Sequence, residues 1–320
     1  MAALRYLAIL FCAAILAFPV LLTFQVAPIG CPVPNSSRRF LAFCRNGAYQ
    51  DFEHGAYALG LRPAAVAAVR RAPVLFLGNS RLVLGFSTAA TARAFAAADL
   101  RYYLLGFGYG ETDGFARTLL RDLALNPRAV VIDVDPFFDG ELGEPARFLR
   151  DHPVRAALEY RAKAVAAALF AAVCPVRAKH WPCGGALALL RADDDGSWEL
   201  LGPDLDQATP FAARNGKPAD PAPFIADGRG FLAELGVPAD CVVLTTVPSP
   251  QRPLDAETVR RIAEGLGAVW AEPTLDDLAS FDRSHLTRDS AERWSAALLD
   301  EIMPILRRCT GRPETHPIDK

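Results

Sequence analysis

The 320-residue chain has little net charge and very little lysine. Its 34 basic and 36 acidic side chains leave a formal charge of −2, and only four of the basic residues are lysines. The arginines form no long basic run, so no nucleic-acid partner is expected. Charged residues make up 22% of the chain, which is too many for a multi-span membrane protein. Proline and glycine are dispersed, which argues against a low-complexity protein.

Several common site signatures are also missing. No cysteine and histidine residues have the spacing of a zinc site. The acidic run 193–195 lacks the spaced ligands and the terminal glutamate of a calcium loop. The alternating glycines of 106–110 lack the Lys-Ser/Thr pair of a phosphate-binding loop. No metal and no cofactor are therefore expected.

One long apolar run lies near the amino terminus. Residues 6–26 are almost uninterruptedly apolar, and a helix needs roughly 20 such residues to cross a bilayer. Ala27-Pro28 is a poor junction for signal cleavage. Residues 1–29 are therefore predicted to be an uncleaved, single-pass transmembrane anchor. A lipidated Cys31 remains the alternative.

The cysteines indicate the compartment of the body. The positive-inside rule does not favour export, because Arg5 alone precedes the apolar run while three arginines follow it. Two local pairs, Cys31 with Cys44 and Cys174 with Cys183, are however typical of disulfides in an oxidising compartment. We expect both bridges and an extracytoplasmic body, periplasmic in a Gram-negative cell. Cys241 is interpreted as a buried thiol that opens a strand, and Cys309 is left unassigned.

The body shows the alternation of a parallel α/β sheet. Continuous apolar runs at 74–77, 102–105, 129–134 and 241–247 predict strands buried on both faces, with a fifth at 268–270. Helical patterns separate them, and a last helix at 288–307 begins after Thr287, a good N-cap. Its Trp294, Leu298, Ile302 and Ile305 should face the sheet.

The segment 141–223 breaks this rhythm and is predicted to be an insertion between the third and fourth strands. It holds an alanine-rich helix at 155–173 and a hairpin around Asp195-Gly196. The expected organisation is an anchor at 1–29, a polar linker and leading helix at 30–72 (the helix at 56–71), an α/β domain at 73–310, and a tail at 311–320.

Two short stretches suggest chemistry. Gly78-Asn79-Ser80 ends the first strand, where ligands bind in open α/β sheets, and an exposed serine there can act as a nucleophile. Asp282 and His285 precede the last helix, and a turn between them lets the carboxylate orient the imidazole. Each stretch also has a structural interpretation, as a capping turn and as a helix-capping loop.

In this order, the two stretches resemble those of the SGNH (GDSL-like) hydrolase superfamily. The resemblance implies a flavodoxin-like three-layer α/β/α sandwich with a parallel sheet. It also implies Ser80 as nucleophile, His285 as general base and Asp282 as the partner that orients it. Gly106 matches a second oxyanion donor of the family.

One family motif is missing. Where the family carries Gly-x-Asn-Asp after the third strand, this chain has Asp133-Val134-Asp135, and an ionised carboxylate cannot donate a hydrogen bond. Asp135, at the strand end, is taken as the acidic residue of the site. Asn79 is a substitute donor.

The sequence therefore predicts an anchored extracytoplasmic serine esterase or O-acyltransferase. It is similar to a divergent branch that O-acylates envelope polysaccharides. Expected partners are an acyl ester or carbohydrate substrate, the membrane, and a membrane-bound acyl donor. The alternative from another class is a non-catalytic envelope protein that binds a glycan or protein. A third possibility, an anchored protein facing the cytosol, would leave Cys174 and Cys183 as free thiols.

Overall fold

The computed structural model describes residues 5, 26–34, 38–45, 49–134, 136–174, 183, 185–202, 207–211, 216–251 and 254–311. No helix within these ranges is long and apolar enough to span a bilayer. The predicted anchor lies outside the described residues, apart from Arg5 and 26–29. The chain divides into two compact units. The larger comprises Arg62–Arg147, Ala192–Glu199 and Asp204–Lys320, and the smaller comprises Met1–Leu61, Phe148–Arg191 and Leu200–Pro203.

The described residues contain both strands and helices. The strands are β1 (Arg39–Cys44), β2 (Gln50–Asp51), β3 (Val74–Asn79), β4 (Tyr102–Phe107), β5 (Ala129–Asp133), β6 (Ala188–Ala192), β7 (Trp198–Leu201), β8 (Thr209–Pro210), β9 (Val242–Thr245), β10 (Val269–Trp270) and β11 (Ala279–Ser280). The helices are α1 (Glu53–Ala58), α2 (Pro63–Arg71), α3 (Ser80–Phe86), α4 (Ala89–Ala97), α5 (Asp113–Asp122), α6 (Glu144–Asp151), α7 (Pro153–Val173), α8 (Ala222–Leu235), α9 (Ala256–Leu266) and α10 (Arg288–Thr310).

A five-stranded parallel sheet forms the centre of the larger unit. Its order is β10-β9-β5-β3-β4, and every pairing between neighbouring strands is parallel. All residues of β3, β5 and β9 are buried, as expected for central strands covered on both faces. The predicted parallel α/β sheet is confirmed. Because the strands are parallel, β3, β4, β5 and β9 end at the same edge.

Helices pack around this sheet in two groups. Helix α10 contacts α3 and α4, while α8 contacts α5 and α9. On α10, Trp294, Leu298 and Ile302 are fully buried at helical spacing, as predicted. The fourth core position is Leu306, not the predicted Ile305, which is only half-buried. The apolar face of α10 therefore anchors the segment just before it against the core.

Two predictions for residues 30–72 are wrong. Strand β1 lies in the segment predicted to be a polar linker, because Phe40, Leu41 and Ala42 are apolar and buried there. It pairs antiparallel with β2 in a four-stranded sheet of order β2-β1-β6-β7. The leading helix predicted at 56–71 is two helices, α1 and α2. Gly60, with a φ of 63°, and Pro63, at the first position of α2, separate them.

Three disulfides join six of the seven cysteines. Cys31–Cys44 and Cys174–Cys183 are bonded, as the sequence predicts. The third bridge, Cys241–Cys309, shows that the interpretation of Cys241 as a buried thiol was wrong. Cys241 ends a 3₁₀ turn just before β9, and the last turn of α10 packs against that turn. The three bridges fit an extracytoplasmic protein.

Candidate active site

The Gly78-Asn79-Ser80 stretch forms a sharp turn from β3 into α3. Asn79 has an extended backbone and is the N-cap of α3, its Oδ1 accepting from the Arg81 N–H at 2.9 Å. Ser80 is the first residue of the helix and is partly exposed. An N-cap that bonds the next turn fixes where the helix begins. The structure therefore gives Asn79 a capping role and fixes Ser80 at the carboxyl edge of the sheet.

Two glycines allow the chain to pass closely around this turn. A Cβ at Gly78 would lie 3.1 Å from the Cβ atoms of Asp133 and Leu82. A Cβ at Gly106 would lie 2.6 Å from Val83 Cγ2 and 2.8 Å from the Gly78 carbonyl oxygen. Gly78 and Gly106 are direct neighbours in the β3–β4 pairing. Gly106 is therefore required for close packing beside the serine turn.

The loop before α10 presents His285. Asp282 Oδ1 accepts from the backbone N–H groups of Ser284 and His285, at 2.9 and 2.8 Å. Arg283, which lies between Asp282 and Ser284 in the turn, adopts a left-handed backbone with a φ of 68°. The Phe281 ring stacks on the imidazole with centroids 5.7 Å apart. One carboxylate oxygen thus holds the turn, and the aromatic ring supports the imidazole plane.

The two stretches meet in space. Ser80 Oγ lies 2.8 Å from His285 Nε2, and His285 Nδ1 lies 2.7 Å from Asp282 Oδ2. The His285 side chain is 18% exposed and that of Asp282 is 39% exposed. With Nδ1–H donating to the carboxylate, Nε2 is left to accept the serine proton. This is the arrangement of a hydroxyl nucleophile, a base and an orienting acid.

The charge of Asp282 depends on its imidazole partner. Partial burial alone would raise the pKa of Asp282. The hydrogen bond and charge of His285 outweigh that effect and hold the pKa below the ordinary value of 3.8. Asp282 is therefore ionised throughout the weakly acidic and neutral range. A fixed carboxylate stabilises the imidazolium that forms when His285 accepts a proton.

Arg81 links three segments around the triad. It follows Ser80 on α3, and its Nε donates to Ser284 Oγ at 3.4 Å. One terminal nitrogen donates to the Gln251 carbonyl oxygen at 3.0 Å, in the loop after β9. The guanidinium thus ties the histidine loop and the β9 loop to the helix of the nucleophile. Sequence reasoning missed this role, because nothing local to Arg81 indicates these partners.

Asp133 occupies the end of β5 beside the serine turn. It is buried, and its Oδ1 accepts from the Val247 N–H at 3.3 Å. A Cβ at Gly78 would lie 3.1 Å from Asp133 Cβ, so Asp133 lies next to the turn that carries Ser80. The sequence prediction preferred Asp135 for this position, but Asp135 lies outside the described residues. The described acidic residue at this strand end is therefore Asp133.

A buried polar cluster in the smaller unit was not predicted. His54 is fully buried, and its Nδ1 lies 2.8 Å from Asp51 Oδ1. Tyr160 donates to Asp51 Oδ2 at 2.7 Å, and Arg191 donates to Glu53 Oε2 at 2.8 Å. Burial would raise the pKa of Asp51, but its cationic neighbours, His54 first, hold it lowered. The pKa of Glu53 is raised by burial against the opposing charge of Arg191.

The same cluster offers the only described grouping of potential metal ligands. Ligand atoms of Asp51, Glu53 and His54 lie within 4.8 Å of one another. Two buried cations, Arg191 and Lys163, already surround these carboxylates, with Lys163 Nζ 2.8 Å from the Asp51 carbonyl oxygen. A divalent cation would add to a site whose acids are already balanced. We interpret the cluster as a structural ion network.

Two further histidines lie away from the triad and from the Asp51 cluster in the sequence, His152 and His180. His152 is exposed at the start of α7, beside the Phe148 ring, and His180 lies outside the described residues. Compared with known proteins, the chain matches no family model, no curated protein and no solved structure.

Proposed function

We propose that this protein is a serine esterase or O-acyltransferase of the SGNH type. The proposal rests on one observation, the chain of hydrogen bonds from Ser80 through His285 to Asp282. Two further features support it. Ser80 follows β3, which pairs with both β4 and β5, and it lies at the carboxyl edge of the parallel sheet. When the five strands are numbered by their order in the chain, they lie side by side as 5-4-3-1-2. Read from the opposite edge of the sheet, this is the flavodoxin-like order 2-1-3-4-5.

The proposed reaction has two steps, acylation of Ser80 and transfer of the acyl group to an acceptor. Ser80 Oγ attacks the acyl carbonyl carbon while its proton passes to His285 Nε2. The ester C–O bond then breaks, and the leaving alcohol takes that proton from the imidazolium. Water or a carbohydrate hydroxyl next attacks the acyl-serine, again losing its proton to Nε2, and Ser80 recovers its proton as the product leaves. The acceptor alone separates an esterase from an acyltransferase.

We propose that backbone N–H groups supply most of the oxyanion stabilisation. Asp133 stands near the position where the family carries a donating asparagine, and its Oδ1 is engaged as an acceptor. Asn79 uses Oδ1 as a cap, which leaves only its amide nitrogen to donate. We propose Gly106 as one donor, as the family resemblance implies, since Gly106 lies beside Gly78 in the β3–β4 pairing. Losing one oxyanion donor typically lowers kcat about a hundredfold to a thousandfold.

The proposed setting is the cell envelope. Three disulfides support an oxidising compartment. We propose residues 6–26 as a membrane anchor, since their apolar run has the length of a span. An anchored body of this kind would act on acyl esters of envelope carbohydrate, with a membrane-bound partner supplying the acyl group if the protein transfers it.

The test compares Ser80→Ala with the wild type on a small acetyl ester such as 4-nitrophenyl acetate. We expect turnover to vanish while circular dichroism and the thermal midpoint stay unchanged. Ser197→Ala, the same chemical change in the β6–β7 turn, is the matched control and should retain full activity. Addition of a soluble carbohydrate acceptor separates hydrolysis from transfer by the appearance of an acetylated sugar. Full turnover by Ser80→Ala would end the proposal.

The second candidate is a non-catalytic envelope protein that keeps this fold to bind a glycan or a protein. The acceptor role of Asp133 at the end of β5 favours it, because a donor is lost there. A folded wild-type protein that hydrolyses no acyl ester and reacts with no serine probe would support this candidate.

A further inference from the structure

A cavity lies at the edge of the parallel sheet opposite Ser80. It has a volume of about 630 Å³ and is lined by residues that precede β3, β4 and β5 and by Thr310 at the end of α10. Pro73 precedes β3, Arg101 precedes β4 and Arg128 precedes β5, whereas Ser80 follows the carboxyl end of β3. The volume is in the range of small-molecule sites. This cavity is therefore separate from the candidate active site.

Its lining is strongly basic. Four arginines line it, with Asp99 as the single acidic lining residue. The lining therefore carries a surplus of three positive charges. None of the four arginines forms an ion pair with a carboxylate in the described part of the chain. Like charges that line one cavity repel one another unless an anion lies between them. The four are Arg70, Arg71, Arg101 and Arg128.

Two of these guanidinium groups are held in place without being neutralised. Arg70 Nε donates to the Leu123 carbonyl oxygen at 3.0 Å, at the end of α5. Arg128 donates from one terminal nitrogen to the Thr310 carbonyl oxygen at 3.0 Å, at the end of α10. A carbonyl orients the side chain but leaves its full charge. Each guanidinium has five N–H groups, so most of its donors stay available.

We propose that this arginine cavity binds a phosphate-bearing anion. Arginine matches the oxygens of phosphate with paired N–H groups, and preorganised guanidinium groups lose less entropy on binding. The cavity has room for a diphosphate or for a phosphate attached to a small organic group. Such a group can belong to a free metabolite or to a lipid headgroup. The site is independent of the proposed ester chemistry, since it shares no residue with the triad.

Isothermal titration calorimetry on the full chain tests the proposal, with sodium pyrophosphate in one arm and glycerol 3-phosphate in the other. The informative variant is Arg71→Gln/Arg101→Gln, because both side chains are exposed and neither forms a hydrogen bond or an ion pair with another described residue. The matched control is Arg121→Gln/Arg260→Gln, which removes the same charge from exposed positions outside the cavity.

We expect wild-type binding to weaken about tenfold or more in the cavity variant, and to change little in the control. Binding of pyrophosphate alone would identify a diphosphate ligand, and binding of glycerol 3-phosphate would identify a phosphate that a lipid headgroup can present. Two results would overturn the site: no binding of either anion by the wild type, or equal weakening in both variants, which would mean non-specific attraction.

Discussion

Ser80 and His285, 205 residues apart in the chain, lie within one hydrogen bond, with 2.8 Å between Oγ and Nε2. Two different elements create this contact. The N-cap of α3 fixes the serine, and the Asp282 turn, which α10 anchors to the core, fixes the histidine. The contact therefore depends on tertiary packing, and substitutions in either element should change the rate of ester turnover.

Asp282→Asn should lower kcat about a hundredfold to ten-thousandfold, because an amide favours the wrong imidazole tautomer and no longer stabilises the imidazolium. The pKa of Asp282 lies below 3.8 in the folded protein. The ionised Asp282 therefore makes its full contribution to the stability of the fold above pH 3.8, and this contribution is lost as the pH falls through the lowered pKa of Asp282. Hence the rate deficit of Asp282→Asn should persist throughout the weakly acidic and neutral range, in which wild-type Asp282 is ionised.

A pH–rate profile for acetyl ester hydrolysis checks this prediction. Asp289→Asn is the control, because Asp289 is a highly exposed carboxylate in the first turn of the next helix. An unchanged rate and profile in Asp282→Asn would contradict the orienting role.

Arg81→Ala should lower kcat about tenfold while leaving the thermal midpoint nearly unchanged. The guanidinium holds the Ser284 and Gln251 loops at the triad, and a misplaced base costs rate without unfolding the protein. Arg81→Lys should recover only part of the rate, since a lysine cannot reproduce the forked geometry. Arg93→Ala, which breaks an exposed ion pair with Glu292, is the control. Equal rates for Arg81→Ala and the control would remove Arg81 from the site.

The Cys241–Cys309 bridge should stabilise the larger unit. It closes a separation of 68 residues and joins the turn before β9 to the end of α10. A double change to alanine should lower the free energy of unfolding by about 2–4 kcal/mol, chiefly by freeing the unfolded chain. Urea denaturation of the two proteins measures this difference. A variant as stable as the wild type would show that the bridge does not form in solution.

The Arg191–Glu53 pair should be essential to the smaller unit, because both side chains are almost completely buried. Arg191→Met leaves the Glu53 charge uncompensated and should cost about 3–5 kcal/mol of unfolding free energy. Arg191→Met combined with Glu53→Gln should be less destabilised than Arg191→Met alone, since it removes that charge. Thermal denaturation of the single and double variants decides. A double variant worse than Arg191→Met would mean that Glu53 has other essential charged contacts.

The parallel sheet was predictable because each strand is a continuous apolar run with no competing pattern. Strand β1 was not, since arginines and cysteines flank a short apolar core and make the whole segment resemble a linker. The helix at 56–71 was predicted as one piece although Gly60 and Pro63, both visible in the sequence, mark the break. The alanine-rich sequence on both sides of the break favours a helix and obscures the two residues that end and restart it.

The candidate site was predictable to the extent that its motifs are local. Ser80, Asp282 and His285 each lie in a recognisable turn, whereas Arg81 acts through partners about 170 and 203 residues away. The Cys241–Cys309 pair and the buried cluster at Asp51 were missed for the same reason. Their partners come from distant elements, and charged residues in a sequence ordinarily indicate an exposed surface.

The most direct measurement is covalent labelling with a fluorophosphonate, followed by intact-mass and peptide mass spectrometry. A serine whose proton can pass to a bonded imidazole should take up one phosphonyl group, on Ser80 alone. Folded Ser80→Ala should take up none, and Asp282→Asn should react slowly. Absence of labelling in the folded wild type, or a label on a different residue, would contradict the assignment of Ser80 as the nucleophile.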